Sequence, residues 1–262
     1  MTKKKGKFNS PVAKLPDPEQ IDIPSVLQSY LDGEIDIICV LGPTASGKTH
    51  YAVQLAREIN RLCQASAAEI ISADSRQFYR GMDIGTGKDL DEYEEIPYHL
   101  IDICPAGYRY NIFQYQQDFK KAYEEIRSRN GIPILCGGSG LYIKAAVEAY
   151  FDDNSPAMNV YYIGTLVSRE ERIARIDRRL DARLQEGMTE EIKGLLDKGI
   201  AAEDLIYYGL EYKYVTLYVI GELSFEEMKT RLANEIHRFS KRQMTWFRSL
   251  EKQGTQIHWT LV

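Results

Sequence analysis

The chain has 262 residues, 44% hydrophobic and 27% charged, with a formal net charge of -5 and a mean hydropathy of -0.37. That length allows one large domain or a domain with a modest appendage, able to bury roughly 70–75% of its unfolded surface. The composition excludes a disordered, collagen-like or coiled-coil protein, and the charge excludes a uniformly basic nucleic-acid binder while leaving room for local basic patches.

Residues 1–30 mix lysine, proline and polar residues without periodicity and read as a flexible tail. Its first residues carry Lys3, Lys4, Lys5 and Lys7 and lack the apolar stretch of a signal peptide. No run reaches the 18 or more apolar residues of a membrane span, so no membrane association and a cytoplasmic location are expected. A core over 31–150 begins with Ile35 to Leu41, an apolar run of buried-strand length, followed by turn residues and a helix over Tyr51 to Ile59. Strands are expected at Glu69 to Ala73 and Tyr98 to Ile103, a helix from about Ile112 to Ser128, and a strand at Ile132 to Cys136. Strands alternating with helices require crossover connections and a mainly parallel sheet covered on both faces. Phe151 to Pro156 reads as a loop or junction, here bounded as 151–160. Residues 161–262 supply a fifth strand at Tyr161 to Val167 and then a helical remainder. Cys39, Cys63, Cys104 and Cys136 show no metal-ligand spacing, so neither a zinc site nor a disulfide scaffold is expected.

Gly42-Pro43-Thr44-Ala45-Ser46-Gly47-Lys48-Thr49 fits GxxxxGK[ST] between a predicted strand and a predicted helix. Such a loop turns several backbone N–H groups toward one anion, Lys48 supplies a mobile cation, and the Thr49 hydroxyl can ligate Mg²⁺. The loop fixes a phosphorylated ligand without fixing the reaction; alone, it most often serves nucleotide hydrolysis or phosphoryl transfer. Asp74, at the end of the second strand, is the first candidate for an acid in the same crevice, because carboxyl ends of parallel strands converge there. Asp102 is a second candidate, equally well read as a strand-end cap or ion pair.

Gly42 to Thr49, Ser72 to Lys88, Tyr98 to Ile103, Gly137 to Tyr142 and Lys241 to Arg248, five blocks in family order, together resemble the tRNA dimethylallyltransferases. The resemblance implies a P-loop NTPase-like α/β fold, a parallel sheet flanked by helices with a helical C-terminal portion. It implies transfer of a dimethylallyl group from its diphosphate to the exocyclic amine of the adenosine beside the tRNA anticodon. The loop would then hold the diphosphate leaving group rather than ATP, with Lys48 and a Thr49-bound Mg²⁺ placed where negative charge develops. Asp74 would take the amine proton, and Ser75, Gln77 and Ser139 would seat the acceptor nucleotide. Ser139 stands where relatives usually have threonine. Lys213 stands where they place a diphosphate-binding arginine, so its charge persists without the bidentate fork.

Two basic segments accompany these blocks. At 100° per residue, 225 to 250 puts Leu232, Ile236, Phe239, Trp246 and Leu250 on one face and Arg238, Lys241, Arg242 and Arg248 on the other. The aromatics are expected in the core, and the basic face is expected on an RNA backbone. Arg175, Arg179 and Arg183 repeat at i, i+4, like charges that call for an anion from a ligand or from elsewhere in the fold. Relatives carry a helical, anticodon-gripping insertion where this chain has only the 151–160 junction. Competing readings are therefore a free-adenylate prenyltransferase, a small-molecule kinase and an idle deleted relative. A monomer is favoured.

Overall fold

The computed structural model describes residues 15–148 and 158–262. In chain order these form α1 (Ile23–Leu31), β1 (Ile37–Leu41), α2 (Lys48–Cys63), β2 (Ala68–Ser72) and β3 (Tyr79–Arg80). A short 3-10 helix (Leu90–Tyr93), β4 (Tyr98–His99), β5 (Cys104–Pro105), α3 (Ile112–Ser128), β6 (Ile132–Gly137) and α4 (Gly140–Glu148) follow. After the undescribed stretch come β7 (Val160–Leu166), α5 (Arg169–Glu186), α6 (Met188–Asp197), α7 (Ala202–Tyr207), α8 (Leu210–Val219), α9 (Phe225–Lys252) and β8 (Ile257–Leu261).

Six strands make one sheet in the order β4-β2-β6-β1-β7-β8, and every pairing in it is parallel. The apolar run of β1 sits at its centre and is fully buried. Because side chains alternate across a strand, Ile37, Cys39 and Leu41 enter one hydrophobic cluster and Ile38 and Val40 the other. The sheet is thus packed on both faces, as its continuous apolar strands require. Its carboxyl edge gathers the loops after β1, β2 and β6.

Four expectations need correction. The segment 1–30 is not wholly a tail: 15–30 is described, and Asp22 accepts from the Ser25 N–H to open α1, whose Val26, Leu27 and Tyr30 pack into the core. Residues 1–14 lie outside the described structure. The strand expected over Tyr98 to Ile103 stops at His99, because Leu100 and Asp102 take φ of 61° and 57°, outside any strand conformation. The C-terminal part is not only helical; β8 pairs Tyr162 through Leu166 with Ile257 through Leu261. The core placement of Phe239 and Trp246 also fails, for reasons given with the site. The Phe151 to Pro156 junction lies outside the described residues. No helix among the described residues is long and apolar enough to cross a membrane.

Asp102 finds its role here. It pairs with the buried ammonium of Lys88, which also binds Asp83 at 2.6 Å and the Tyr79 carbonyl at 2.6 Å. This three-way contact ties the loop between β3 and β4 to β3 itself and to the segment after β4. Lys88→Met should lower the urea unfolding free energy by about 2–3 kcal/mol, below the usual figure for a broken buried pair because both acids reach water. A shift under 0.5 kcal/mol, on the order of a surface substitution, would contradict that role.

Candidate active site

The loop between β1 and α2 curls as the glycine-rich pattern demands: Gly47 has φ of 81° and Ala45 φ of 62°. Buried Ser46 shares a 2.6 Å hydroxyl contact with Thr165 on β7, pinning the loop from beneath. Above it lies a cleft lined by Thr44, Ala45, Gly47, Lys48 and Thr49, and from the end of β2 by Asp74. Asp74 Oδ1 accepts from the Arg76 N–H at 3.1 Å, and Ser72 Oγ accepts from the Asp74 N–H at 3.3 Å. The first bond holds the carboxylate and the second the backbone that carries it, and among the described residues Oδ2 takes no hydrogen bond.

Three guanidinium groups line the same cleft, those of Arg76, Arg179 and Arg183. Arg76 pairs with buried Glu211, and its buried Nε has no partner among the described residues, a donor left for a ligand. Arg183 lies 3.7 Å from Glu211 and 3.9 Å from Asp89, and Arg179 also pairs with Asp89. Burial, and then the like charge of Arg179, lowers the Arg183 pKa below the ordinary guanidinium value. An arriving anion would offset both by favouring the charged guanidinium. Arg179 and Arg183 therefore meet acids from elsewhere in the fold while still lining the cleft, whereas Arg175 pairs with Glu171 of its own helix and does not line it.

Gly87 has φ of 60°, and a side chain there would overlap the Arg183 guanidinium. Glu191 holds this segment by accepting from the N–H groups of Asp83 (2.8 Å), Ile84 (2.7 Å) and Gly85 (3.1 Å) and from the Tyr212 hydroxyl (2.5 Å). Glu92 also lines the cleft; burial and the neighbouring Asp89 push its carboxyl above the usual carboxylate range. The cleft offers a hydroxyl, Thr49, and carboxylates, all oxygen donors suited to a hard cation. No group of three or more metal-ligating side chains occurs among the described residues.

Ser75 and Ser139 are brought together, their hydroxyls 3.2 Å apart, while Gln77 accepts from Ser72 Oγ at 3.0 Å and lines the cleft. Lys213 is not brought in: the cleft takes Leu210 and Glu211 from the start of α8, and the Lys213 ammonium lies 5.5 Å from the centre of the Tyr214 ring. Arg238, Lys241 and Arg242 also lie apart from Asp74, on the outer side of α9, bordering a shallow groove with Trp246. Trp246 is only half-buried because it packs over Gly140 at the edge of α4, and Phe239 faces the cleft. The apolar stripe of α9 thus extends beyond what the core covers.

Gln243 belongs to the site although sequence reasoning passed it over. Its Oε1 accepts from the Thr44 N–H at 2.8 Å, and its Nε2 donates to the Gly138 carbonyl at 2.9 Å, joining α9 to both loops. The available signal was a polar residue at i+7 from Ile236 and i+4 from Phe239, inside an apolar stripe. Gln243→Ala leaves both backbone groups unpaired. It should cost about 1–3 kcal/mol in stability and weaken inorganic pyrophosphate binding roughly tenfold by calorimetry. Unchanged pyrophosphate affinity would exclude a part in shaping the loop.

A second cavity of about 190 Å³ adjoins the cleft, sharing Arg76 and Thr86 with it. Ser75 lines it beside five tyrosines: Tyr79, Tyr110, Tyr142, Tyr207 and Tyr208.

The IPP transferase family model matches residues 77–159 and 148–250. A Parabacteroides distasonis protein named tRNA dimethylallyltransferase 1 is 44% identical, with 86% of this chain and 92% of that protein covered. That alignment runs over 288 residues, more than this whole chain, so the relative carries internal sequence without a counterpart here. A Porphyromonas gingivalis protein of the same name is 45% identical over 85% of this chain and 93% of its own. A solved tRNA isopentenylpyrophosphate transferase from Bacillus halodurans superposes with a TM-score of 0.73 at 28% identity, covering 86% of this chain and 89% of that one.

Proposed function

The chain belongs to the IPP transferase family of tRNA dimethylallyltransferases, and from that membership we infer that it moves a dimethylallyl group from dimethylallyl diphosphate to the exocyclic amine of an adenosine next to the tRNA anticodon. The observation that carries the residue-level reading is that Asp74 and the phosphate loop line one cleft, faced by Arg76, Arg179 and Arg183.

In this reading the amides from Ala45 to Thr49, with Lys48, hold the diphosphate, while the Thr44 N–H is committed to Gln243. Arg183, Arg179 and the free Nε of Arg76 close on it from the other side. The acceptor adenine enters through the tyrosine-lined cavity, reaching Asp74 past Ser75, Ser139 and Gln77. The amine nitrogen forms a bond to the allylic carbon as the carbon–oxygen bond to diphosphate breaks. The leaving electron pair goes to the diphosphate oxygen, and the amine proton passes to Asp74 Oδ2. A positioned base of this kind contributes about 10²–10⁴ in rate. Thr49 would hold Mg²⁺, which would supply neutralisation of the charge developing on the leaving group. Lys213 has no role in this scheme.

The two family-model matches overlap at 148–159, which supports reading that stretch as the join where relatives carry extra sequence. The deciding experiment supplies radiolabelled dimethylallyl diphosphate with unmodified tRNA or with AMP. Label in tRNA supports the reading, label only in AMP replaces it with the free-nucleotide transferase, and label in neither removes both.

A further inference from the structure

Around the mouth of the tyrosine cavity lies an aromatic surface that has no part in the chemistry above. Tyr207, at the end of α7, lines the cavity and is 62% exposed. One face of its ring is covered by the Arg109 guanidinium, 4.8 Å from the ring centre. Arg109 is itself held by Asp204 at 3.1 Å. Next to it, Tyr108 is 42% exposed; its carbonyl accepts from the Tyr208 hydroxyl at 2.8 Å, and its own hydroxyl accepts from Gln114. The Tyr207 ring is held by Arg109 and the Tyr108 ring by Gln114 on α3, so using them to bind a ligand sacrifices less side-chain freedom.

Scattered exposed aromatics need no explanation, but rings held rigid around an opening differ. The position decides the occupant. Any molecule that delivers an adenine past Tyr207 into the cavity leaves its own flanking residues at this mouth. In an RNA loop those residues are unstacked bases, which bind aromatic faces and guanidinium planes without sequence preference. Arg109 adds a cation within reach of the adjoining phosphates.

Resting on the proposed function, we infer that Tyr207, braced by Arg109 with Tyr108 next to that arginine in the chain, is a stacking platform for the nucleotides beside the acceptor adenosine in a single-stranded RNA loop. It supplies RNA grip in a chain shorter than its relatives.

Steady-state transfer to an anticodon stem-loop RNA tests this with Tyr207→Ala, Tyr207→Phe and Arg109→Ala. Tyr207→Ala should raise the KM for the stem-loop about tenfold, within the span of one lost stacking contact. The KM for dimethylallyl diphosphate should stay within about twofold and the melting temperature should hold, as expected for an exposed residue. Tyr207→Phe should restore the wild-type KM, because stacking needs the ring and not the hydroxyl. Arg109→Ala should flatten the salt dependence of the stem-loop KM by about one phosphate contact. An unchanged stem-loop KM in Tyr207→Ala would overturn the platform and leave the patch to a protein partner. A raised KM for dimethylallyl diphosphate would make the cavity the donor's and overturn it as well. Failure of the wild-type protein to label the stem-loop at all would instead overturn the proposed function.

Discussion

Asp74→Asn is expected to slow dimethylallyl transfer by about 10²–10⁴-fold at saturating substrates while leaving pyrophosphate affinity within about twofold. Asparagine keeps the shape of the side chain and the bond from the Arg76 N–H, so the turn after β2 persists. What it loses is a site for the proton of the attacking amine. Rapid-quench measurement of a single turnover, beside calorimetry with pyrophosphate, separates the two quantities. A variant that transfers at wild-type rate would remove Asp74 as the base. Equal loss of rate and pyrophosphate affinity would make it part of the anion site instead.

The second large effect falls on Arg183. Arg183→Ala should raise the KM for dimethylallyl diphosphate by about 10–100-fold, because a unit charge near 4–5 Å from the anion contributes a few kcal/mol at the effective dielectric of a protein cleft. Arg183→Lys should fall between, keeping the charge but losing the fork. Lys213→Ala should stay within about twofold, since the cleft reaches α8 only at Leu210 and Glu211. Thermal unfolding of Arg183→Ala belongs with the kinetics, because Glu211 would keep only Arg76 as partner. A reversed ranking, with Lys213→Ala more damaging than Arg183→Ala, would return the diphosphate contact to Lys213.

Much of this architecture can be read along the chain. The central strand declares itself as an unbroken apolar run, the phosphate loop as a motif with its strand and helix in place, and the like-charged arginines of α5 as a question about a missing anion. Long-range contacts explain what could not be read. Nothing near Asp89 or Glu211 in sequence announces that they face Arg183, because their partners come from distant elements. The final strand escaped because Ile257 to Leu261 is short and only half-buried at the sheet edge. The first helix hid among prolines and charges, although Asp22 followed by Pro24 is a helix-start signal. Lys213 was carried over from the family pattern; in the structure its ammonium lies over the Tyr214 ring and the cleft lining on α8 stops at Leu210 and Glu211.

The bond from Thr44 to Gln243 joins residues 199 apart in sequence. During synthesis the phosphate loop therefore emerges long before the helix that completes it, and closing so long a separation is entropically late. A ribosome-bound nascent chain stalled ahead of α9 would display the motif yet grasp pyrophosphate poorly, gaining its affinity only once the last helix clears the exit tunnel.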